Sequence, residues 1–299
     1  MGSPDFAVPS LLELHHSEHR VEAVVTNPDK RRGRGEGKSP TIVKKKALEL
    51  GYPVIETEST KDPDFGEKLN AIQPDLLVVV AFRILPPEIL EIPRLGSVNL
   101  HASLLPKYRG AAPIHWAIIN GETETGCTVF FLDEQVDTGH IISRVKTVIG
   151  PDETAGDLYE RLKEIGAGLL VECLDRIEKG HVKGIPQEND KATPAPKLFT
   201  EDARIDFQLP SQQVHNRIRG LSPFPGAWTT YSGKKFNLYR SRIGPDIQLA
   251  PGELLIDDGR LLAGCGQGTV ELTEVQMPGK KRVSGKEFAN GYDLSVRLL

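Results

Sequence analysis

Asn99 and His101 stand two residues apart in the run SVNLH, residues 97–101, where Val98 and Leu100 alternate with them. Alternation of period two marks a strand, so the amide and the imidazole share one face near its end. The chain then breaks into SLLP and KYRG, where Pro106 cannot donate to a sheet ladder and Gly110 closes a basic turn. Strand ends that open into loops are where α/β sheets place their ligands. A third group follows in TGCTVFFLDEQVDTGHII, residues 125–142: an apolar run from Val129 to Leu132, an acidic turn, and Asp137-Thr138-Gly139. Attack on a carbonyl-like carbon needs a donor for the developing oxyanion and an acceptor for the nucleophile's proton. Asn99, His101 and Asp137 are of the right types. Each also has a plainer reading: a solvated strand face for Asn-x-His, and a turn-forming Asp before Thr-Gly. Spacing alone does not bring the three together.

The elements that must position these groups follow a βα rhythm. The opening MGSPDFAVPSLLELHHSEHRVEAVVTN reads as a glycine turn, a helix over 7–17 and a strand over 21–26. A strand over 53–55, a helix over 63–72, the buried strand DLLVVVA over 75–81 and a short helix over 87–90 come next. APIHWAIIN reads as a helix docked on the sheet, with His115 and Trp116 as packing residues. The longest helix spans 154–179, with Thr154 and Asp157 as a capping pair and Gly180 as its stop. Its apolar stripe, Leu158, Leu162, Ile165, Leu169, Cys173 and Ile177, predicts core packing. The proline-rich, polar stretch over 186–203 has the composition of a linker. Beyond it come a helix over 211–219 and five short alternating runs with glycine turns, the pattern of a small OB-like barrel.

Composition narrows the classes. A chain of 299 residues suggests two domains, each able to bury a core. Three cysteines without a CxxC pair argue against a disulfide framework or a zinc site and fit a reducing compartment. No apolar run approaches the roughly 20 residues of a membrane span, and no secretory signal pattern opens the chain. The net charge of −4 is unevenly spread: from Ala203 onward 13 Lys and Arg face 9 Asp and Glu. Over 27–46 (NPDKRRGRGEGKSPTIVKKK), eight basic residues face two acids among three glycines and two prolines. Such a run is either a solvated loop or a phosphate tracker, because cationic side chains neutralise a nucleic-acid backbone without reading its sequence. Regular structure resumes near Pro40, read as a helix start.

NLHASLLPKYRGAAPI followed by a DTG loop resembles the 10-formyltetrahydrofolate-dependent formyltransferases, most closely the branch acting on methionyl-initiator tRNA. PDFAVPSL near the start and ATPAPKL, RIDF and PFPGAW later extend the resemblance over nearly the whole chain. It implies a doubly wound Rossmann-like α/β catalytic domain over 1–185, a linker over 186–203 and an OB-like tRNA-binding domain over 204–299. It implies catalytic roles for Asn99, His101 and Asp137, a folate-binding segment Ser103-Leu104-Leu105-Pro106, and no metal. Lys30, Arg31, Arg32, Arg34 and Lys38 fall on the insertion that meets the tRNA acceptor end, and Arg34 matches its key arginine. The co-substrate is then 10-formyltetrahydrofolate and the partner initiator methionyl-tRNA. A monomer in the cytoplasm is expected, bacterial, or organellar where a targeting segment is absent. AFRILP, residues 81–86, departs from the family's Tyr-Gly-type sequence beside the folate. The family also sets a buried strand before the Met-Gly pair, so the first strand of the sheet is expected to be missing and a central position empty. Three alternatives stay open: a formyltransferase acting on an amino-sugar nucleotide, a glycinamide ribonucleotide formyltransferase, and an RNA-binding protein on an inactive scaffold. The first has little use for the basic loop, the second is shorter, and the third is expected to have lost one of the trio.

Overall fold

The computed structural model describes residues 1–31 and 37–299. Two compact units divide the chain: Met1–Gly110, Gly126–Thr147 and Glu160–Pro194 form one, and Ala111–Thr125, Val148–Tyr159 and Ala195–Leu299 the other. In chain order, α1 (Ala7–His16), β1 (Val24–Thr26), β2 (Lys30–Arg31), β3 (Lys38–Ser39), α2 (Ile42–Glu49), β4 (Val54–Glu56), α3 (Pro63–Ile72), β5 (Leu77–Val80), α4 (Pro87–Leu90) and β6 (Ser97–His101) open the chain. They are followed by α5 (Pro113–Ile119), β7 (Glu124–Phe131), β8 (Ile141–Val148) and the long α6 (Ala155–Glu178). α2 starts later than Pro40 suggests, because the extended Thr41 is its cap and accepts from the Lys44 amide at 3.0 Å.

The first unit carries the mixed sheet β5-β6-β7-β8, with β6 parallel to β5 and antiparallel to β7. β1 and β4 pair in parallel beside it as a separate ladder. Between β1 and β5 lies the position from which the sequence reading expects a strand to be missing. Among the described residues Met1 and Gly2 pair there: Gly2 N donates to Val25 O at 3.0 Å, Val80 N to Met1 O at 2.9 Å, and the Met1 ammonium to Val78 O at 2.6 Å. A cavity of about 490 Å³ is lined by Leu11, Val24, Val25, Leu77, Val78 and Leu174. Burial pushes the Met1 ammonium down to about 5. Val25, Phe65, Leu69, Leu77, Val79, Leu85 and Ile89 form a core beside it. Five positions of the α6 stripe are buried and Ile165 is half-buried, and Gly166 lets the helix approach β6, since a Cβ there would stand 3.0 Å from the Leu100 side chain.

The second unit adds α7 (Ser211–Gly220), β9 (Ala227–Tyr231), β10 (Lys234–Ile243), β11 (Leu254–Asp257), β12 (Arg260–Gly264), β13 (Thr269–Gln276), β14 (Val283–Ser284) and α8 (Gly285–Gly291). The strands form an antiparallel sheet ordered β11-β12-β13-β10-β9, with β14 on β13. Its architecture is OB-like but open: among the described residues β9 and β11 do not pair. The last two residues span the opening. Leu299 exchanges backbone bonds with Thr230 at 3.0 and 3.1 Å, and Leu298 N donates to Gly252 O at 2.8 Å. Phe236, Leu238, Leu261, Val270, Leu272 and Phe288 fill the interior with Val214 and Ile218 of α7.

On α7, His215 is buried with both ring nitrogens engaged, Nδ1 with Ser241 Oγ and Nε2 with Pro151 O, each at 2.9 Å. Burial and the nearby Arg219 hold His215 below its ordinary value. The three thiols are free and buried, and burial pushes Cys127 and Cys265 up to about 12 and Cys173 to about 11. Among the described residues no helix is long and apolar enough to cross a membrane.

Candidate active site

β6 carries Asn99 and His101 on one face because successive side chains of a strand alternate. Val98 and Leu100 are almost fully buried on the other face, which fixes the register. Asn99 pairs with Val79 of β5 and Phe130 of β7, so the strand that presents the amide is held on both sides. The Asn99 side chain is half-buried and has no hydrogen-bond partner among the described residues. His101 is 6% exposed, and its Nε2 lies 2.8 Å from Tyr108 O. A carbonyl only accepts, so Nε2 donates and Nδ1 is the nitrogen left to the site. Nδ1 faces Asp137 Oδ2 at 3.7 Å, beyond hydrogen-bond length.

Asp137 comes from the turn between β7 and β8. Its backbone is left-handed, with φ of 56°. Such a φ is uncommon for a residue other than glycine, so neighbours must hold it. Its Oδ2 accepts from Gly110 N at 2.8 Å, while Oδ1 has no hydrogen-bond partner among the described residues. Gly139 is required on steric grounds, since a Cβ there would fall 1.7 Å from Phe131 O. Thr138 Oγ1 donates to Asp133 Oδ1 at 2.7 Å and tightens the same turn.

The segment after β6 touches both groups. Tyr108, with φ of 63°, supplies the carbonyl that anchors His101, and Gly110 supplies the amide that anchors Asp137. Tyr108 N donates to Thr193 Oγ1 and Arg109 N to Thr193 O, each at 2.9 Å. Ser103 Oγ donates to Lys107 O at 2.7 Å, and Thr128 Oγ1 donates to Ser103 O at 2.6 Å. The Ser103 and Leu105 side chains are therefore spent inside the fold, and Leu105 packs on Phe130 and Ile141. Leu104 and Pro106 are half-buried and keep accessible surface. The AFRILP loop begins with Ala81 at φ of 48°, and Arg83 Nε donates to Asn27 Oδ1 at 2.8 Å.

Of the proposed tRNA contacts, Lys30 and Lys38 are exposed at the paired ends of the basic loop and have no acidic partner among the described residues. The backbone of Arg31 pairs with that of Lys38. Arg32 and Arg34 lie outside the described residues. Lys44, counted in the same basic run, is held by Asp29 and Glu56. Among the described residues no group of three or more His, Cys, Asp or Glu is placed to hold a metal.

The formyl transferase profile matches residues 1–174, and that of the formyl transferase C-terminal domain matches residues 197–293. The chain belongs to the formyl transferase family. It is 47% identical to a methionyl-tRNA formyltransferase of Chlorobium luteolum over 98% of this chain and 95% of that one. It is 45% identical to a methionyl-tRNA formyltransferase of Moorella thermoacetica over 98% and 96% of the two chains. Among solved structures, the sugar 3N-formyl transferase WlaRD superposes with a TM-score of 0.69 at 21% identity, over 94% of this chain and 97% of that one. HypX from Aquifex aeolicus, in complex with tetrahydrofolic acid, gives 0.60 at 21% identity over 84% and 47%. At that identity the two structures share the fold of this formyl transferase and say nothing about its substrate.

Sequence reasoning did not find the groups that hold this formyl transferase's trio in place. Two are main-chain atoms, Tyr108 O and Gly110 N, and main-chain atoms leave no signal in residue types. The third is Gln187, whose Nε2 donates to Asp137 O at 2.9 Å and Gly139 O at 2.8 Å. The only sequence hint of it is IPQ, a short apolar start inside a stretch otherwise read as linker.

Proposed function

We propose that this chain transfers the formyl group of 10-formyltetrahydrofolate to the α-amino group of methionine on initiator tRNA, for translation initiation. One conjunction supports the reading: identity of 47% to a methionyl-tRNA formyltransferase over nearly the whole chain, together with Asn99, His101 and Asp137 drawn to one site of this chain. The bound folate supplies a formyl carbon already activated for transfer to an amine. Asn99 donates to the formyl oxygen as negative charge gathers there; removing one such donor typically costs about 2.7–4 kcal/mol. Its unengaged amide supports this role. Asp137 Oδ1 receives the amine proton, while Oδ2 and the Gly110 amide fix the carboxylate beside His101. His101, tethered to Tyr108 O, keeps Nδ1 toward the carboxylate and steadies the charge that passes between them.

Ser103, Leu104, Leu105 and Pro106 form the folate wall: Leu104 and Pro106 present accessible surface, and the buried Ser103 and Leu105 behind them hold the segment in shape. Lys30, Arg31, Arg32, Arg34 and Lys38 track the acceptor end of the tRNA, and the OB-like second unit adds basic surface. The enzyme works as a monomer in the cytoplasm. The test is formyl transfer assayed with charged initiator tRNA and, separately, with amino-sugar nucleotides, each over a salt series. Transfer to the tRNA with a steep fall in salt is expected, because many cationic contacts release counterions together. Transfer to the amino sugar alone, with a shallow slope, overturns the reading.

A further inference from the structure

Gln187 stands outside every motif that carries the chemistry, yet its carboxamide is used completely. Ile185 exchanges two backbone bonds of 2.8 Å with Ile141, just beyond the Asp137 turn, and this bridge delivers Gln187 to the turn. Its two amide hydrogens go to Asp137 O at 2.9 Å and Gly139 O at 2.8 Å. Its oxygen accepts from Arg109 Nε at 3.2 Å and Arg109 Nη2 at 2.7 Å, and Nη2 also donates to Asn189 Oδ1 at 2.8 Å. The amide has one possible orientation, because both carbonyls can only accept and the guanidinium can only donate. Arg109 lies between Tyr108, which anchors His101, and Gly110, which anchors Asp137. Gln187 therefore ties the turn that carries Asp137 to the segment that holds both acid–base groups.

We propose that Gln187, acting with Arg109, is a positioning residue for formyl transfer that holds the left-handed Asp137 turn so that the carboxylate faces His101. The proposal rests on the reading that Asp137 takes part in that transfer. A misplacement of about 1 Å at a reacting group can cost about 100-fold in rate. The discriminating variant is Gln187→Glu, which keeps size and the bond to Arg109 but sets acceptors against two carbonyls. Its kcat is expected to fall about 10- to 100-fold, with KM for folate and for tRNA changed less than about threefold and the pH–rate profile displaced. Lys191→Ala, an exposed change in the same segment, serves as the control and leaves kcat unchanged.

Should Gln187→Glu fold poorly, Gln187→Met, which keeps the length and removes both amide donors, takes its place, and the folded variant is combined with Asp137→Asn under single-turnover conditions with enzyme in excess. A residue that acts only through Asp137 adds nothing once the carboxylate is gone, so the double variant should be no slower than Asp137→Asn alone. Multiplying losses, or wild-type kcat and pH profile in Gln187→Glu, overturn the proposal. Full activity in Asp137→Asn would instead overturn the role given to Asp137 itself, so the two failures are distinguishable.

Discussion

Two histidines of this chain are equally hidden and opposite in what they can do. His101 in the first unit and His215 in the second are 6% and 1% exposed, and each gives Nε2 to a backbone carbonyl. The other nitrogen separates them. In His215 it meets the Ser241 hydroxyl at 2.9 Å, and the ring is satisfied in its neutral form. In His101 it faces a carboxylate oxygen at 3.7 Å and has no hydrogen-bond partner among the described residues. Burial alone thus does not separate the two imidazoles. An unspent nitrogen beside a carboxylate does, and the proposed function gives that ring the working role.

The sharpest test of that comparison is a pair of alanine variants followed through formyl transfer and urea unfolding. His101→Ala should lower the transfer rate by about 10²–10⁴-fold, the usual span for a lost acid–base group. His215→Ala should leave the rate within about twofold and cost roughly 1–3 kcal/mol of stability, since it orphans the Ser241 hydroxyl and the Pro151 carbonyl. A slow but stable His215→Ala would break the comparison. Next in size, Asn99→Ala should lose about 10²–10³-fold in kcat while tRNA binding, followed by filter retention, stays intact. Loss of tRNA binding in that variant would take Asn99 out of the chemistry.

Smaller effects should appear in stability against pH. His215 is held below its ordinary value of 6.5 by burial, so the unfolded chain binds the proton more readily than the folded one. Stability should therefore decline as pH falls below about 6.5, and His215→Gln should flatten that limb.

How far the sequence reaches differs between these regions for physical reasons. The period-two run SVNLH put Asn99 and His101 on one face, and α3 and α4 fell where proline and apolar spacing set them. The Asp-Thr-Gly run singled out Asp137 and the resemblance gave it a role, but nothing in residue types shows that Tyr108 O and Gly110 N would hold the pair. Gln187 was hidden by its setting, a polar run whose composition says linker while one Ile141–Ile185 bridge folds its beginning into the first unit. The strands of the second unit were legible from alternation and glycine turns. Their failure to close was not, because that depends on pairing at the sheet edges, where Leu298 and Leu299 intervene. Lys44 reads as part of a cationic run, yet Asp29 and Glu56 have already claimed its charge.

The three buried thiols give the molecule a clock. With Cys127 and Cys265 near 12 and Cys173 near 11, almost no thiolate exists at neutral pH, and an electrophile finds no sulfur until the chain opens. Cys127 donates to Leu162 O beneath α6, so its labelling times the lifting of that helix from β7. Cys265 sits in the interior of the second unit and times the parting of that sheet. The order in which the sulfurs are labelled would report which unit opens first, with no probe beyond the side chains already present.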